Sequence, residues 1–256
     1  MQEEFQRSRL HVVVGALLAG VAPFALAKSA PVLFVAAADV SDSFHGAWLR
    51  LIYADAFRRL GYDFALRAYP TRRASAMSDS AAADGEINRV ADYGLFHPDM
   101  VRVETSHFPI QFCAYGRRLA AIGDGWQALA DNGQRRVEYR SGVARCQARL
   151  APLIDAARLS HVSNVVLGLR KLDQGRTDLY VDIDSVVEQA LSLPEFEHSA
   201  IRKLSLVDTV PMHAFVHKKH SALAPRLASV LAAMHADGTI QKYCHAARAA
   251  MRLPAN

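Results

Sequence analysis

Residues 32–69 read VLFVAAADVSDSFHGAWLRLIYADAFRRLGYDFALRAY, and this stretch decides the fold class. It begins with a continuous apolar run, residues 32–38, which is typical of a strand buried in a parallel sheet. Apolar residues then recur near a 3.6-residue period over residues 43–60, which predicts a helix that Gly61 ends. Apolar and polar residues alternate over residues 62–69, as in a second strand. Strand, helix and strand in this order predict a βαβ unit.

The same alternation of short strands and amphipathic helices continues to the C-terminus, with more strands than one small doubly wound sheet holds. We therefore predict an α/β fold of two lobes, each with a mainly parallel sheet flanked by helices. Residues 203–207 and 212–217 read as two strands, and the extended segments at 108–115 and 209–217 are the expected crossings between the lobes, acting as hinge strands. Lobe 1 is predicted to comprise residues 28–115 and 211–256, and lobe 2 residues 116–210. A ligand would bind between the lobes, at the carboxyl ends of strands.

Composition excludes several classes of protein. Of the 256 residues, 51% are hydrophobic and 21% are charged, which is ordinary for a globular chain and excludes a disordered or rod-like one. The 30 basic and 25 acidic residues are interspersed and give a net charge of +5. Because so small and evenly spread a charge does not make a nucleic-acid-binding surface, we expect no nucleic acid partner.

Residues 1–27 have the pattern of a signal peptide. Arg7 and Arg9 precede an apolar run over residues 10–24, and Ala-Leu-Ala at residues 25–27 forms a small-x-small cleavage site. The alternative is a membrane anchor, but an apolar run of about 15 residues is shorter than the roughly 20 that a spanning helix needs. We expect cleavage after Ala27 and a soluble product in the periplasm.

Cysteine and histidine spacing argues against a metal or redox centre. The chain has three cysteines, Cys113, Cys146 and Cys244, without C-x-x-C spacing. Export would permit one disulfide among them, and the alternative is three free thiols. Three histidines lie four and three residues apart, at His213, His217 and His220. Because this segment reads as a strand leading into a loop, we expect the histidine side chains to diverge, and we predict neither a metal nor an organic cofactor.

Four segments in register resemble the type II periplasmic solute-binding proteins of ABC importers, and most closely the amino-acid-binding-like substrate-binding domains known as family 3. These segments are ADAFRRLGY at residues 54–62, DGEINR at 84–89, LDQGRTDLYVD at 172–182 and HKKHSALAPRL at 217–227. Their order and spacing hold over most of residues 32–245. The resemblance implies two lobes that close on a small polar ligand.

Three charged residues are the first candidates for ligand contacts. In the proteins that this chain resembles, an arginine at the position of Arg89 clamps the ligand carboxylate, and a planar guanidinium suits that contact. The alternative for Arg89 is a surface salt bridge with Glu86 or Asp92. Asp182, at the carboxyl end of a predicted strand, would accept hydrogen bonds from a ligand ammonium. Asp184 competes for that role, and its alternative is to cap the next helix.

Several other candidates follow from position. Ser141 and Gly142, with Val143, form a strand-to-helix turn whose backbone N–H groups could hold an anion, and the alternative is an ordinary helix cap. Tyr69 and Arg73 flank the end of the second strand and could line the cleft, although a solvated position is the ordinary one for Arg73. Phe44 could stack on a ligand, and its alternative is the core.

The sequence is therefore interpreted as a monomeric periplasmic solute-binding protein. It would capture a small polar solute, an amino acid or an organic acid, for an inner-membrane ABC permease. A ligand sensor that signals to a membrane partner is an alternative from another class, and a dehydratase-like enzyme on the same fold, using Glu86 and Asp182, is a third. The loop at residues 91–94 departs from the polar pattern of amino-acid binders, which argues against an α-amino acid.

Overall fold

The first strand and the first helix lie where the sequence predicts them. The computed structural model describes residues 31–37, 43–130, 133–251 and 253, which belong to one compact unit, residues 31–256. Its strands are β1 (Val32–Ala37), β2 (Phe64–Tyr69), β3 (Gly85–Val90), β4 (Met100–Arg102), β5 (Phe108–Arg117), β6 (Val137–Arg140), β7 (Leu159–Val162), β8 (Leu179–Ile183) and β9 (Ile201–His217). Its α-helices are α1 (Phe44–Leu60), α2 (Thr71–Asp79), α3 (Gln127–Ala130), α4 (Ala144–Leu150), α5 (Val165–Asp173), α6 (Asp184–Leu191), α7 (Leu223–Ala236) and α8 (Thr239–Ala250).

The strands of the described residues form a sheet in the order β2-β1-β3-β9-β5-β8-β6-β7, with β4 paired to β9. The first half, β2-β1-β3, is parallel, and so is the second half, β8-β6-β7. Between them β5 and β9 run antiparallel to each other and to their outer neighbours. The predicted α/β class, with two parallel half-sheets and two crossing strands, is confirmed. The lobe boundaries given above stay a prediction.

The second crossing strand corrects one detail of the sequence analysis. Residues 203–207 and 212–217 read as two strands, yet β9 is a single strand of 17 residues. Pro211, which lies between the two predicted strands, is opposite Pro109 of β5. Two facing prolines fit a pair that exchanges no hydrogen bonds, because neither residue has an N–H to donate. Register shifts follow between Phe112 and Cys113 and between Ala114 and Tyr115.

Helix α1 anchors the first half of the sheet. Ser43 caps it by accepting a hydrogen bond from the Gly46 N–H at 3.1 Å, and Gly61 ends it in the left-handed conformation with φ of 80°. Its aromatic side chains pack on β1 and β2, with the Phe57 and Phe64 rings 4.9 Å apart and nearly parallel. Helices α5 and α6 cover the second half around the fully buried Tyr180.

The predicted signal peptide, residues 1–27, lies outside the described residues. Among the residues that are described, no helix is long and apolar enough to cross a membrane. The described cysteines, Cys113, Cys146 and Cys244, are all free thiols, so the alternative of a disulfide is not realised.

Candidate functional site

A cavity of about 190 Å³ lies where four elements converge: the start of α1, the start of β5, the start of α6 and helix α8. Its walls include the predicted residues Phe44 and Asp184. The other lining residues are His45, Trp48, Pro109, Gln111, Ser185, Glu188, Gln241, Cys244, His245 and Arg248. The cap of α1 and the junction of β8 with α6 bring Phe44 and Asp184 to this point, although they are far apart in sequence. This cavity is the candidate binding site.

The cavity has an aromatic wall. Trp48 stacks on Phe108 with ring centres 4.0 Å apart, and its indole N–H donates to the Ile240 carbonyl at 2.9 Å, which fixes the ring. Phe44 lies 5.5 Å from the Trp48 ring. Burial lowers the pKa of His45 to about 4, so its imidazole is neutral near pH 7. These rings offer a flat, uncharged surface to a bound molecule.

Both carboxylate oxygens of Asp184 have a partner within the protein. It accepts a hydrogen bond from the Tyr115 hydroxyl and an ion pair from Lys203 at 2.6 Å. Partial burial acts to lower the pKa of Lys203, but the hydrogen bond and charge of Asp184 outweigh it and raise that pKa. Asp184 is the first residue of α6, and Ile183 occupies the cap position without a side-chain cap. The alternative of Asp184 as a helix cap is therefore wrong.

A second ion pair lies in the same wall. Arg248 of α8 donates to Glu188 of α6 at 3.0 Å and lies over the Phe44 ring, 5.4 Å from its centre. Phe44 therefore belongs both to the core and to the cavity wall, and its stacking on a ligand stays a prediction. The pair links a helix that covers the second half-sheet to the C-terminal helix.

Arg89 lies at the carboxyl end of β3, where Asn88 has a left-handed φ of 66° and the register with β9 shifts. Its guanidinium donates to the Glu86 carboxylate and to the Ser75 hydroxyl, and lies 5.1 Å from the Tyr93 ring centre. Glu86 is fully buried and Arg89 is 15% exposed. The predicted salt bridge between Arg89 and Glu86 is therefore present, but it is buried and does not lie on the surface. The buried Arg89 Nε has no partner among the described residues.

Asp182 is fully buried and already saturated. Arg140 contacts it through two donors, at 2.8 and 3.0 Å. The Tyr180 hydroxyl and the Ile183 N–H also donate to it, at 2.9 and 2.7 Å. A carboxylate with four such contacts has little capacity left for a ligand ammonium.

The four remaining candidates, Ser141, Gly142, Tyr69 and Arg73, are exposed or half-buried. At the predicted anion turn the Ser141 N–H donates to the Val162 carbonyl at 2.7 Å, and the Val143 N–H to the Arg140 carbonyl at 3.2 Å. The expectation of free N–H groups is therefore wrong for Ser141 and Val143. Gly142 lies in the turn between them, with a left-handed φ of 86°. Arg73 and Tyr69 meet in a cation–π contact of 5.0 Å.

The three histidines of the metal hypothesis have separate partners. His213 hydrogen-bonds the Val103 carbonyl, His217 accepts from the Lys219 N–H, and His220 pairs with Asp84. Across the described part of the chain, no three potential metal ligands come together.

Sequence reasoning missed most of the cavity wall. Trp48 was visible in the sequence, but its helical spacing indicates only a core position. Gln111 and Arg248 carry no local pattern, because they lie on β5 and α8, which meet only in the fold. An acid four residues after Asp184 on one helix was the one available signal for Glu188.

Comparisons with known proteins place the fold. No protein-family model matches the chain. An uncharacterized protein of Shewanella oneidensis is 32% identical over 211 residues, which is 82% of this chain and 80% of that protein.

Solved structures of low sequence identity share the architecture. A histidine kinase sensor domain with similarity to periplasmic binding proteins has a TM-score of 0.61 at 14% identity, covering 84% of this chain and 95% of its own. An amino acid ABC transporter substrate-binding protein from Streptococcus pneumoniae, bound to L-arginine, has a TM-score of 0.61 at 14% identity, covering 86% and 95%. An arginine transport system periplasmic binding protein from Legionella pneumophila has a TM-score of 0.58 at 12% identity, covering 84% and 98%. The chain therefore belongs to the same family as the Shewanella oneidensis protein and has the fold of the periplasmic binding proteins.

Proposed function

We propose that this chain is an exported solute-binding protein. It loses residues 1–27, resides in the periplasm as a monomer, and captures a small polar solute for an inner-membrane ABC permease. The fold supports this, because its neighbours include substrate-binding proteins of such importers. Fold alone does not determine function, which depends on the residues of the site.

The cavity at α1, β5, α6 and α8 is the observation that carries the proposal. It combines an aromatic wall with hydrogen-bonding side chains such as Gln111 and Ser185, which is the usual make-up of a small-molecule site. Its walls come from elements on either side of the crossing strands. A solute held there would contact both halves of the molecule, as reversible capture requires.

The contacts of Glu86 and Asp182, the two acids that the enzyme hypothesis needs, favour binding over catalysis. Glu86 is paired with Arg89, and Asp182 is held by Arg140 and Tyr180. A general acid or base has to be able to give or take a proton at the substrate, and these contacts occupy both carboxylates. We therefore propose no catalytic role for either residue.

Sensing is the second candidate function. The similarity to a histidine kinase sensor domain favours it specifically. Deleting the gene and measuring uptake of the bound solute separates the two functions. Lost uptake supports the importer, whereas normal uptake with an altered transcriptional response to the solute supports the sensor.

A thermal-shift screen tests the binding function. Protein exported by a Gram-negative host is titrated with a library of small polar solutes. At 100 times its Kd, a solute adds about 2.7 kcal/mol of stability, which corresponds to roughly 5–10 °C for a chain of this size. Ser185→Phe, which fills the cavity, should abolish the shift, and Ser192→Phe, at the exposed end of the same helix, should leave it unchanged. A library without any stabilising solute would contradict the proposal.

A further inference from the structure

Each acidic residue that the sequence or the cavity suggests for ligand binding is already paired with a counter-ion of the protein itself. The four ion pairs are Glu86 with Arg89, Asp182 with Arg140, Asp184 with Lys203, and Glu188 with Arg248. Each acid is at least three-quarters buried, and its partner contacts it directly. An α-amino acid would bring one carboxylate and one ammonium into this setting. Both would need a counter-ion that is already engaged.

The cost of a charged guest follows from that pairing. A carboxylate or ammonium in the cavity either displaces Lys203 or Arg248 from its partner or stays buried without a counter-ion. The second outcome is strongly unfavourable, because an unpaired buried charge loses its hydration without compensation. The first outcome breaks an existing ion pair, which offsets what the guest gains from its new partner. An uncharged guest avoids this loss entirely.

The neutral groups of the wall indicate what such a guest looks like. Phe44 and Trp48 present aromatic faces, and the His45 imidazole is 5.2 Å from the Phe108 ring in a stacked geometry. Gln111 supplies an amide that both donates and accepts, and Ser185 a hydroxyl. At about 190 Å³ the cavity is smaller than the roughly 300 Å³ at which pockets for drug-sized ligands begin, so it holds about one ring.

We propose that this cavity binds an uncharged, single-ring solute that carries both a hydrogen-bond donor and an acceptor, and that it rejects α-amino acids and organic acids. The inference rests on the proposed function and names the substrate class of the same site. It replaces the expectation of an amino acid or organic acid ligand.

Three probes with one ring and different charges test the substrate class. Nicotinamide is neutral, nicotinate is an anion and 3-(aminomethyl)pyridine is a cation near pH 7, and all three are of similar size. Trp48 in the wall reports binding through its fluorescence, and Ser185→Phe serves to show that the signal comes from this cavity. We expect nicotinamide to bind at least 10-fold more tightly than either charged probe. Equal or tighter binding of a charged probe would overturn the inference.

A variant that removes one counter-ion sharpens the test. Lys203→Met removes the counter-ion of Asp184 and leaves it with uncharged partners such as the Tyr115 hydroxyl, so the variant should gain at least 10-fold in affinity for 3-(aminomethyl)pyridine and none for nicotinate. Lys218→Met is the matched control, because it removes a lysine–aspartate pair of the same 2.6 Å length, to Asp99, outside the cavity wall. A gain of the same size in both variants would count against the charge argument.

The outcomes separate this inference from the proposed function. If the screened library yields only amino acids or organic acids as ligands, solute binding stands and the uncharged class is wrong. If no solute of either class stabilises the protein, the proposed function fails and the inference fails with it. Stabilisation by uncharged solutes alone supports both.

Discussion

Burial separates two ion pairs that are identical in sequence spacing. Arg58 pairs with Asp55, and Arg89 pairs with Glu86, each three residues apart. The Arg58 side chain is 75% exposed, and its buried partner Asp55 also pairs with Arg59. Arg89 is 15% exposed, and its partner Glu86 is fully buried. Losing an exposed arginine costs about 0–1 kcal/mol when its acid keeps another counter-ion, but breaking a buried pair costs about 3–5 kcal/mol because the remaining charge has no counter-ion.

We therefore predict different effects for two matched substitutions. Arg89→Met should lower the free energy of unfolding by about 3–5 kcal/mol, and Arg58→Met by less than about 1 kcal/mol. Replacing Glu86 by Met as well should recover most of the first loss. Urea unfolding of the four proteins measures this, and equal losses for the two single variants would contradict it.

A buried histidine makes the stability depend on pH. His107 is fully buried, and its Nδ1 lies 2.9 Å from the Tyr53 hydroxyl. Burial, reinforced by the nearby His213, His45 and His235, holds its pKa well below the ordinary value. In the unfolded chain the same imidazole takes up a proton near pH 6.5, so acid favours unfolding.

The free energy of unfolding should accordingly be greatest above about pH 6.5 and fall as the pH is lowered from there. His107→Gln, which does not titrate, should reduce that slope while lowering stability at neutral pH. Denaturant unfolding between about pH 7.5 and 5 checks both parts. An unchanged slope in the variant would show that other groups carry the acid sensitivity.

At the scale of elements, helix α5 is held against β8 by a glycine. A Cβ at Gly168 would lie 2.2 Å from the ring of Tyr180, which is fully buried and donates its hydroxyl to Asp182 at 2.9 Å. Helix propensity alone predicts that Gly168→Ala gains about 1 kcal/mol. Close packing predicts the opposite, because the helix has to move away from the strand.

We expect packing to prevail, with Gly168→Ala lowering the free energy of unfolding by about 1–3 kcal/mol. Ala246→Gly, at an exposed position of α8, isolates the propensity effect and should cost about 1 kcal/mol. Thermal unfolding of both variants measures the difference. A more stable Gly168→Ala protein would mean that α5 and β8 adjust without loss.

At the scale of the whole molecule, two antiparallel strands connect the parallel halves. β5 and β9 pair over ten residue positions, and two register shifts interrupt the pairing near Phe112 and Ala114. The Glu188–Arg248 pair joins helices that pack on different halves. A solute between these elements favours the arrangement in which both sides contact it.

We predict that the two halves of the molecule close on a bound solute, and small-angle X-ray scattering tests this. Addition of a solute found by the screen should decrease the radius of gyration of the protein. The Ser185→Phe variant, whose cavity is filled, should show no decrease at the same solute concentration. An unchanged radius in the parent protein, under conditions of saturation, would rule out closure on binding.

The sequence by itself determined the elements and their order. The apolar run at 32–38, the cap at Ser43 and the stop at Gly61 define β1 and α1, because such signals act between residues that are close along the chain. The extended segments predicted the two crossing strands for the same reason. The strand boundaries around Pro211 were wrong, because whether a proline interrupts a strand depends on its partner across the pair, here Pro109.

The tertiary structure alone decided which charges remain available to a solute. Arg140 and Asp182 are 42 residues apart, and Arg248 and Glu188 are 60 apart, so no local pattern pairs them. Burial then determines what each pairing means, because a charge that is cheap to leave unpaired in water is costly to leave unpaired inside a protein. The sequence therefore identified Asp182, Asp184 and Arg89 as charged residues at strand ends and offered Glu86 as one possible partner of Arg89. Only the fold shows the counter-ions of the two aspartates and the burial of the Arg89–Glu86 pair.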